Sequence, residues 1–130
     1  MSNAIAVVAG HGDFAAGIVS AIDQITGRGE LLLPMSNRGL GAADIEAMLR
    51  DALAAAPVRV IFTDLPAGSC TIAARRVLRE RPDLRLVMGA NLPAVIDFVL
   101  AGEAAGDDAQ AVAHAVERGR LALQEVGGAR

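Results

Sequence analysis

The residue with the clearest capacity for chemistry is His11, set between Gly10 and Gly12 at the end of the apolar run Ala4 to Ala9. The flanking glycines let the backbone turn tightly and leave no side chain over the imidazole, so the ring is open to an incoming protein. A neutral imidazole attacks phosphorus through its unprotonated nitrogen. A carboxylate that accepts a hydrogen bond from the other nitrogen fixes the tautomer and stabilises charge as transfer proceeds. Asp64, which follows a second apolar run, suits that role. Gly68 and Ser69 are the phosphate-binding candidates, because Ser69 opens a helix, where a hydroxyl and backbone N–H groups meet the positive end of the helix dipole. Phosphoryl transfer asks for little beyond such positioning and electrostatics.

Each of these residues has a plainer alternative. A loop histidine is often a satisfied turn residue, Asp64 is also suited to an Asx-type cap of its own loop, and Ser69 is an ordinary N-cap with or without phosphate. Arg75, Arg76, Arg79 and Arg81 cluster on or just beyond one helix, as an acidic partner's landing surface or simply as a solvated face. His114 lies among alanines with no motif around it, which reads as structural or exposed. Cys70 follows a helix start, where thiols become more acidic, but there is no second cysteine to resolve it, so packing is the expected role.

What the chain lacks narrows the chemistry further. All 12 basic residues are arginines, and without lysine there is neither a Walker A loop nor a Schiff base. With no Trp or Tyr and only 3 Phe, there is little to stack bases or sugar rings, and a net charge of -3 disfavours polyanions. No nucleic-acid partner is expected. Two histidines are too few for a multi-histidine metal site, so neither metal nor cofactor is expected. One cysteine allows no internal disulfide and no zinc ribbon, in keeping with a reducing, cytoplasmic setting. Hydrophobic residues make up 53% of the chain, yet no apolar stretch approaches the roughly 18 to 20 residues of a membrane helix. The first nine residues lack the length and basic start of a secretory signal.

The elements that must position these residues follow from the hydrophobic pattern. Ala4 to Ala9 reads as a strand buried on both faces, and Phe14, Ile18, Ile22 and Ile25 recur at helical spacing up to the stop at Gly27. A second run, Glu30 to Pro34, leads through the turn Ser36-Asn37-Arg38-Gly39 into a helix with Ile45, Met48, Leu49, Ala52 and Leu53 on one stripe. Val58 to Thr63 is the third strand. Ser69 is the expected N-cap of a helix with Ala73, Val77 and Leu78 inward. Leu84 to Met88 is the fourth strand, followed by a helix from Leu92 to Leu100 and a last one from Asp107 to Val126 with Val112, Val116 and Leu123 inward. The final four residues are expected to fray. At 130 residues the chain suits a single domain, residues 1–130. Alternating strands and helices predict a doubly wound α/β fold: a mainly parallel four-stranded sheet of order 2-1-3-4 with helices on both faces. The reversal between strands one and three opens a crevice at their carboxyl ends, where His11 and Asp64 both emerge.

These segments also resemble a known family. Val8-Ala9-Gly10-His11-Gly12-Asp13-Phe14-Ala15-Ala16-Gly17-Ile18 is similar to the opening of mannose-family phosphotransferase-system enzyme IIA domains. Thr63-Asp64-Leu65-Pro66-Ala67-Gly68-Ser69 is similar to that family's second motif, and Gly89-Ala90-Asn91-Leu92-Pro93 to its third. Pro66 and Ala67 depart from the usual apolar or aromatic residue and first glycine, and Cys70-Thr71 from the common Pro-aromatic pair. Ala67 would be strained if that position needs a positive φ. The resemblance implies that His11 accepts a phosphoryl group from HPr, that Asp64 orients it, that Ser69 contacts the phosphoryl group, and that an enzyme IIB receives it. It further implies a homodimer that meets the membrane only indirectly, through the IIC and IID components of a sugar transporter. The segment after Asn91 looks closest to the N-acetylgalactosamine-type branch. Two other functions fit the same fold: a non-catalytic regulatory binding module, and a dihydroxyacetone-kinase phosphotransfer subunit, whose second motif matches the Asp64 loop less well.

Overall fold

The computed structural model describes residues 2–102 and 107–128. Its strands are β1 (Ala6–Gly10), β2 (Leu32–Ser36), β3 (Val60–Thr63) and β4 (Arg85–Val87), and its helices α1 (Phe14–Thr26), α2 (Ala42–Ala55), α3 (Ser69–Leu78), α4 (Leu92–Gly102) and α5 (Asp108–Ala122). The sheet has the order β2-β1-β3-β4 and every pairing is parallel, with Ala6 opposite both Leu32 and Val60. Strand order and fold class are as the pattern predicts.

β1 is apolar along its whole length because both its faces are covered. Ala6 and Val8 point, with Val60 and Phe62 of β3, into a core closed by α1, α4 and α5. Val7 and Ala9 point, with Ile61, into a second core closed by α2 and α3. Such two-faced burial turns a strand into a continuous hydrophobic run. Phe62 and Phe98 meet edge to face at 5.7 Å in the first core. β2 tolerates Pro34 because it is an edge strand, where a missing N–H costs no ladder bond.

Several expectations need correction. Ile25 is exposed: the buried face of α1 centres on Ala15 and Ile22, and Ile25 lies about 60° away, in the last turn before the left-handed Gly27 cap. α5 stops at Ala122 and not at Val126, and Leu123 is exposed. α5 comes against the start of α4 at Gly119, where a β-carbon would lie 2.8 Å from Asn91 and Ala94, while Leu121 and Leu123 beyond it are exposed. The second strand begins two residues later than its apolar run, after a 3₁₀ turn at Gly29–Leu31. Ser69 is not the N-cap of α3 but its first residue, and Gly68 occupies the cap. Asp107 does cap α5, accepting from the N–H groups of Ala109 and Gln110. Of the final four residues, Gly127 and Gly128 are exposed beyond the helix, and the other two lie outside the described residues.

Candidate functional site

β1 and β3 lie side by side, so the residues that leave their carboxyl ends are neighbours in space although 53 positions apart in sequence. Asp64 Oδ2 accepts two hydrogen bonds from His11, one from the backbone N–H at 2.8 Å and one from ring Nδ1 at 2.8 Å. The backbone bond fixes the carboxylate, and the fixed carboxylate fixes the ring. Gly10 makes the approach possible, because a β-carbon there would stand 2.8 Å from the Asp64 carboxylate carbon. Burial by itself would raise the Asp64 pKa, but the backbone and ring N–H groups of His11 outweigh it and hold the carboxyl below its ordinary value of 3.8. An ionised Asp64 makes Nδ1 the protonated nitrogen of the neutral ring and leaves the lone pair on Nε2. The His11 side chain is 51% exposed, against 12% for Asp64, which suits a nucleophile presented by a sheltered carboxylate.

The loop after β3 brings α3 to the same ring. Gly68 has φ 106 and ψ 172, a conformation essentially confined to glycine. A β-carbon there would lie 3.3 Å from His11 Cε1 and 3.8 Å from Nε2. The first turn of α3 therefore starts beside the free nitrogen, and no side chain caps its leading N–H groups. Those groups, with the helix dipole, form a place for an anion. Ser69, moved from the cap to the first helical position, accepts a hydrogen bond from Asn37 Nδ2 at 3.1 Å. The structure thus brings His11, Asp64, Gly68 and Ser69 together at one end of the sheet.

Two buried hydroxyls hold this loop in shape. Thr71 Oγ1 lies 2.8 Å from Thr63 Oγ1 and 2.7 Å from the Leu65 carbonyl, and Thr63 Oγ1 lies 3.3 Å from the same carbonyl. Thr63 ends β3 and Thr71 is in the first turn of α3, so the triangle staples the two ends of the loop. Ala67 is not strained, since positive φ occurs only at glycines among the described residues. Cys70 is buried, and its thiol is pushed up by burial and by the charge of Asp64, against a weaker opposing bond from Ser69. It packs in the second core, where burial disfavours the thiolate.

The third motif is a structural joint. Asn91 accepts from the Ala94 N–H at 3.1 Å and donates to the Gly119 carbonyl at 2.9 Å, capping α4 and fastening it to α5. His114 is exposed and its Nδ1 lies 2.7 Å from Asp97 Oδ2, a pairing between α4 and α5 that nothing in the local sequence announces. Of the arginine cluster, Arg76 faces Glu46 and Arg81 pairs with Asp83, so much of it is a solvated ion-pair surface. Sequence reasoning missed Asn37 and Arg38, which it placed in a mere turn. Their signal is the position of that turn at the carboxyl end of β2, beside the β1 exit. Among the described residues no cluster of His, Cys, Asp and Glu could hold a metal ion, and no helix is long and apolar enough to cross a membrane.

With this geometry in view, the chain can be set beside known proteins. A family model, EIIA-man, described as the PTS system fructose IIA component, matches residues 5–117. No curated protein matches the sequence. Among solved structures, the chain is similar to a mannose/sorbose-specific IIA subunit of the phosphotransferase system from Enterococcus faecalis, with a TM-score of 0.81, 20% identity and 98% of each chain covered. It is also similar to a phosphotransferase system EIIA component from Streptococcus agalactiae, with a TM-score of 0.79, 19% identity, and 93% of this chain and 95% of that one covered. A PTS IIA protein associated with the fucose utilization operon of Streptococcus pneumoniae gives a TM-score of 0.79 and 19% identity, covering 95% of this chain and 93% of that one. At such identities these likenesses concern the fold.

Proposed function

This chain belongs to the EIIA-man family of phosphotransferase-system IIA components, and on that premise we propose that it is a phosphohistidine carrier in which His11 Nε2 accepts a phosphoryl group from phospho-HPr and gives it to an enzyme IIB. The observation that carries this reading is the His11–Asp64 pair: an ionised carboxylate 2.8 Å from Nδ1 directs the ring lone pair to Nε2, on the exposed side, next to the start of α3.

In the loading step, Nε2 attacks phosphorus as the donor's nitrogen–phosphorus bond breaks, and the bonding electrons return to the donor histidine. The Nδ1 proton stays in its hydrogen bond to Asp64, which offsets the charge that builds on the ring. Ser69 and the leading N–H groups of α3, with Gly68 at the turn, receive the phosphoryl oxygens. Unloading to enzyme IIB is the same step reversed on a new acceptor. We place the carrier in the cytoplasm as a homodimer, within a sugar-uptake system whose IIC and IID components span the membrane. The sugar meets those components, and no cofactor enters the phosphoryl step.

Intact-mass spectrometry after incubation with phosphoenolpyruvate, enzyme I and HPr tests this. Wild type is expected to gain one phosphate and His11→Gln none, and a matched enzyme IIB is expected to drain the wild-type label. An unmodified wild type in the presence of active donors overturns the carrier reading. A label that no enzyme IIB removes would instead favour a regulatory module whose phosphorylation alters partner affinity.

A further inference from the structure

The loop between β2 and α2 forms a further wall beside His11, and its Arg38 has no part in the steps above. Asn37 fixes where this loop sits. Its backbone N–H donates to the Gly10 carbonyl at 3.0 Å and its side chain to Ser69 Oγ at 3.1 Å, so the loop is tied both to the residue before His11 and to the start of α3. The next side chain, Arg38, lies back over the His11 turn: a β-carbon on Gly12 would be 3.5 Å from its Nη2. The same nitrogen meets Asp13 Oδ1 at 3.4 Å.

That ion pair is a weak restraint. It is a single long contact between side chains that are 69% and 85% exposed, and pairs of this kind contribute little to stability. Asp13 is also the N-cap residue of α1 without making a side-chain cap bond, so its carboxylate has no evident helix-capping task. A guanidinium held so loosely over the turn that carries His11 is available to a stronger anion. A phosphoryl group carries nearly two negative charges and three acceptor oxygens, and the planar guanidinium fork matches that geometry.

We propose that Arg38 is a phosphoryl-binding residue of the carrier, leaving Asp13 to contact the phosphoryl group on His11 and stabilising both the phosphorylated form and the transfer that makes it. The inference rests on His11 being the acceptor. The exchange needs only rotation about the Arg38 side-chain bonds, because Asn37 keeps the backbone anchored.

Phosphoramidate, a small donor that needs no partner protein, separates this inference from any effect on docking. Nε2 attacks its phosphorus, the donor's phosphorus–nitrogen bond breaks, and ammonia leaves with the electron pair and its own three protons. Initial rates of phosphate gain at His11, read by intact mass with site mapping, are to be compared for wild type, Arg38→Gln, Arg38→Lys and Asp13→Asn. Arg38→Gln is expected to be about tenfold slower, the loss of one charge-assisted contact. Arg38→Lys, which keeps the charge but not the fork, should fall between, and Asp13→Asn should be no slower than wild type. Equal rates for wild type and Arg38→Gln would overturn the Arg38 assignment and leave His11 as acceptor. Failure of wild type to gain phosphate at His11 would overturn both.

Discussion

At the scale of single residues, the site depends on two glycines as much as on its polar groups. Gly10 makes room for the Asp64 carboxylate, and Gly68 turns the chain so that α3 begins against the imidazole edge. Gly68 combines an unfavourable φ for any other residue with a 3.3 Å approach to His11 Cε1. Gly68→Ala is therefore expected to lose about 1–3 kcal/mol of stability by urea denaturation. Phosphate gain at His11 should fall as well, because relief of the strain moves either the ring or the helix start. A variant with wild-type stability and rate would show that the turn is not what sets the ring's position.

At the scale of elements, the loop from Asp64 to Gly68 is held by the triangle of Thr63, Thr71 and the Leu65 carbonyl, while Asp64 is also held from the far side by His11. Thr71→Val keeps the shape and removes the hydroxyl. It leaves a buried Thr63 hydroxyl short of a partner, so a loss of about 1–2 kcal/mol is expected in a thermal or urea melt. Faster amide exchange in residues 64–69 should accompany it, with exchange in α5 unchanged. Uniform loosening across the chain would instead mean that the hydroxyl pair stabilises the whole fold and not this loop.

At the scale of the whole molecule, the Asp64 carboxyl links the site to global stability. Its folded pKa lies below the ordinary 3.8, so in the acid range the unfolded chain binds this proton before the folded one does. Stability from this group is fully present above the ordinary value and is lost as pH falls through the folded value. Urea midpoints measured from pH 6 down to pH 3 should fall more steeply for wild type than for Asp64→Asn, with the difference developing below about pH 4. Parallel curves would show that the carboxylate gains nothing from His11 in the folded state. Asp83, also held low by its Arg81 partner, titrates in both proteins and cancels in the comparison.

The sequence by itself determined the architecture and which two polar residues meet at the ends of β1 and β3. Apolar runs such as Ala4 to Ala9, alternating with helical stripes, leave a parallel sheet covered on both faces as the economical arrangement, and winding in both directions puts β1 beside β3. His11 and Asp64 could be matched because each sits directly after one of those strands, where position along the chain translates into position in space. Helix ends were less legible: Ile25 and Leu123 continue a stripe, but whether a side chain is covered depends on where the neighbouring element stops. Asn37 and Arg38 were invisible for a related reason. A turn carries no periodicity, and their reach to Ser69 and Asp13 is set by how β2 lies against β1 and how α3 returns to the same edge. The identity of the nitrogen left free on His11 was likewise a tertiary matter, decided by a 2.8 Å contact across 53 residues that local sequence does not encode.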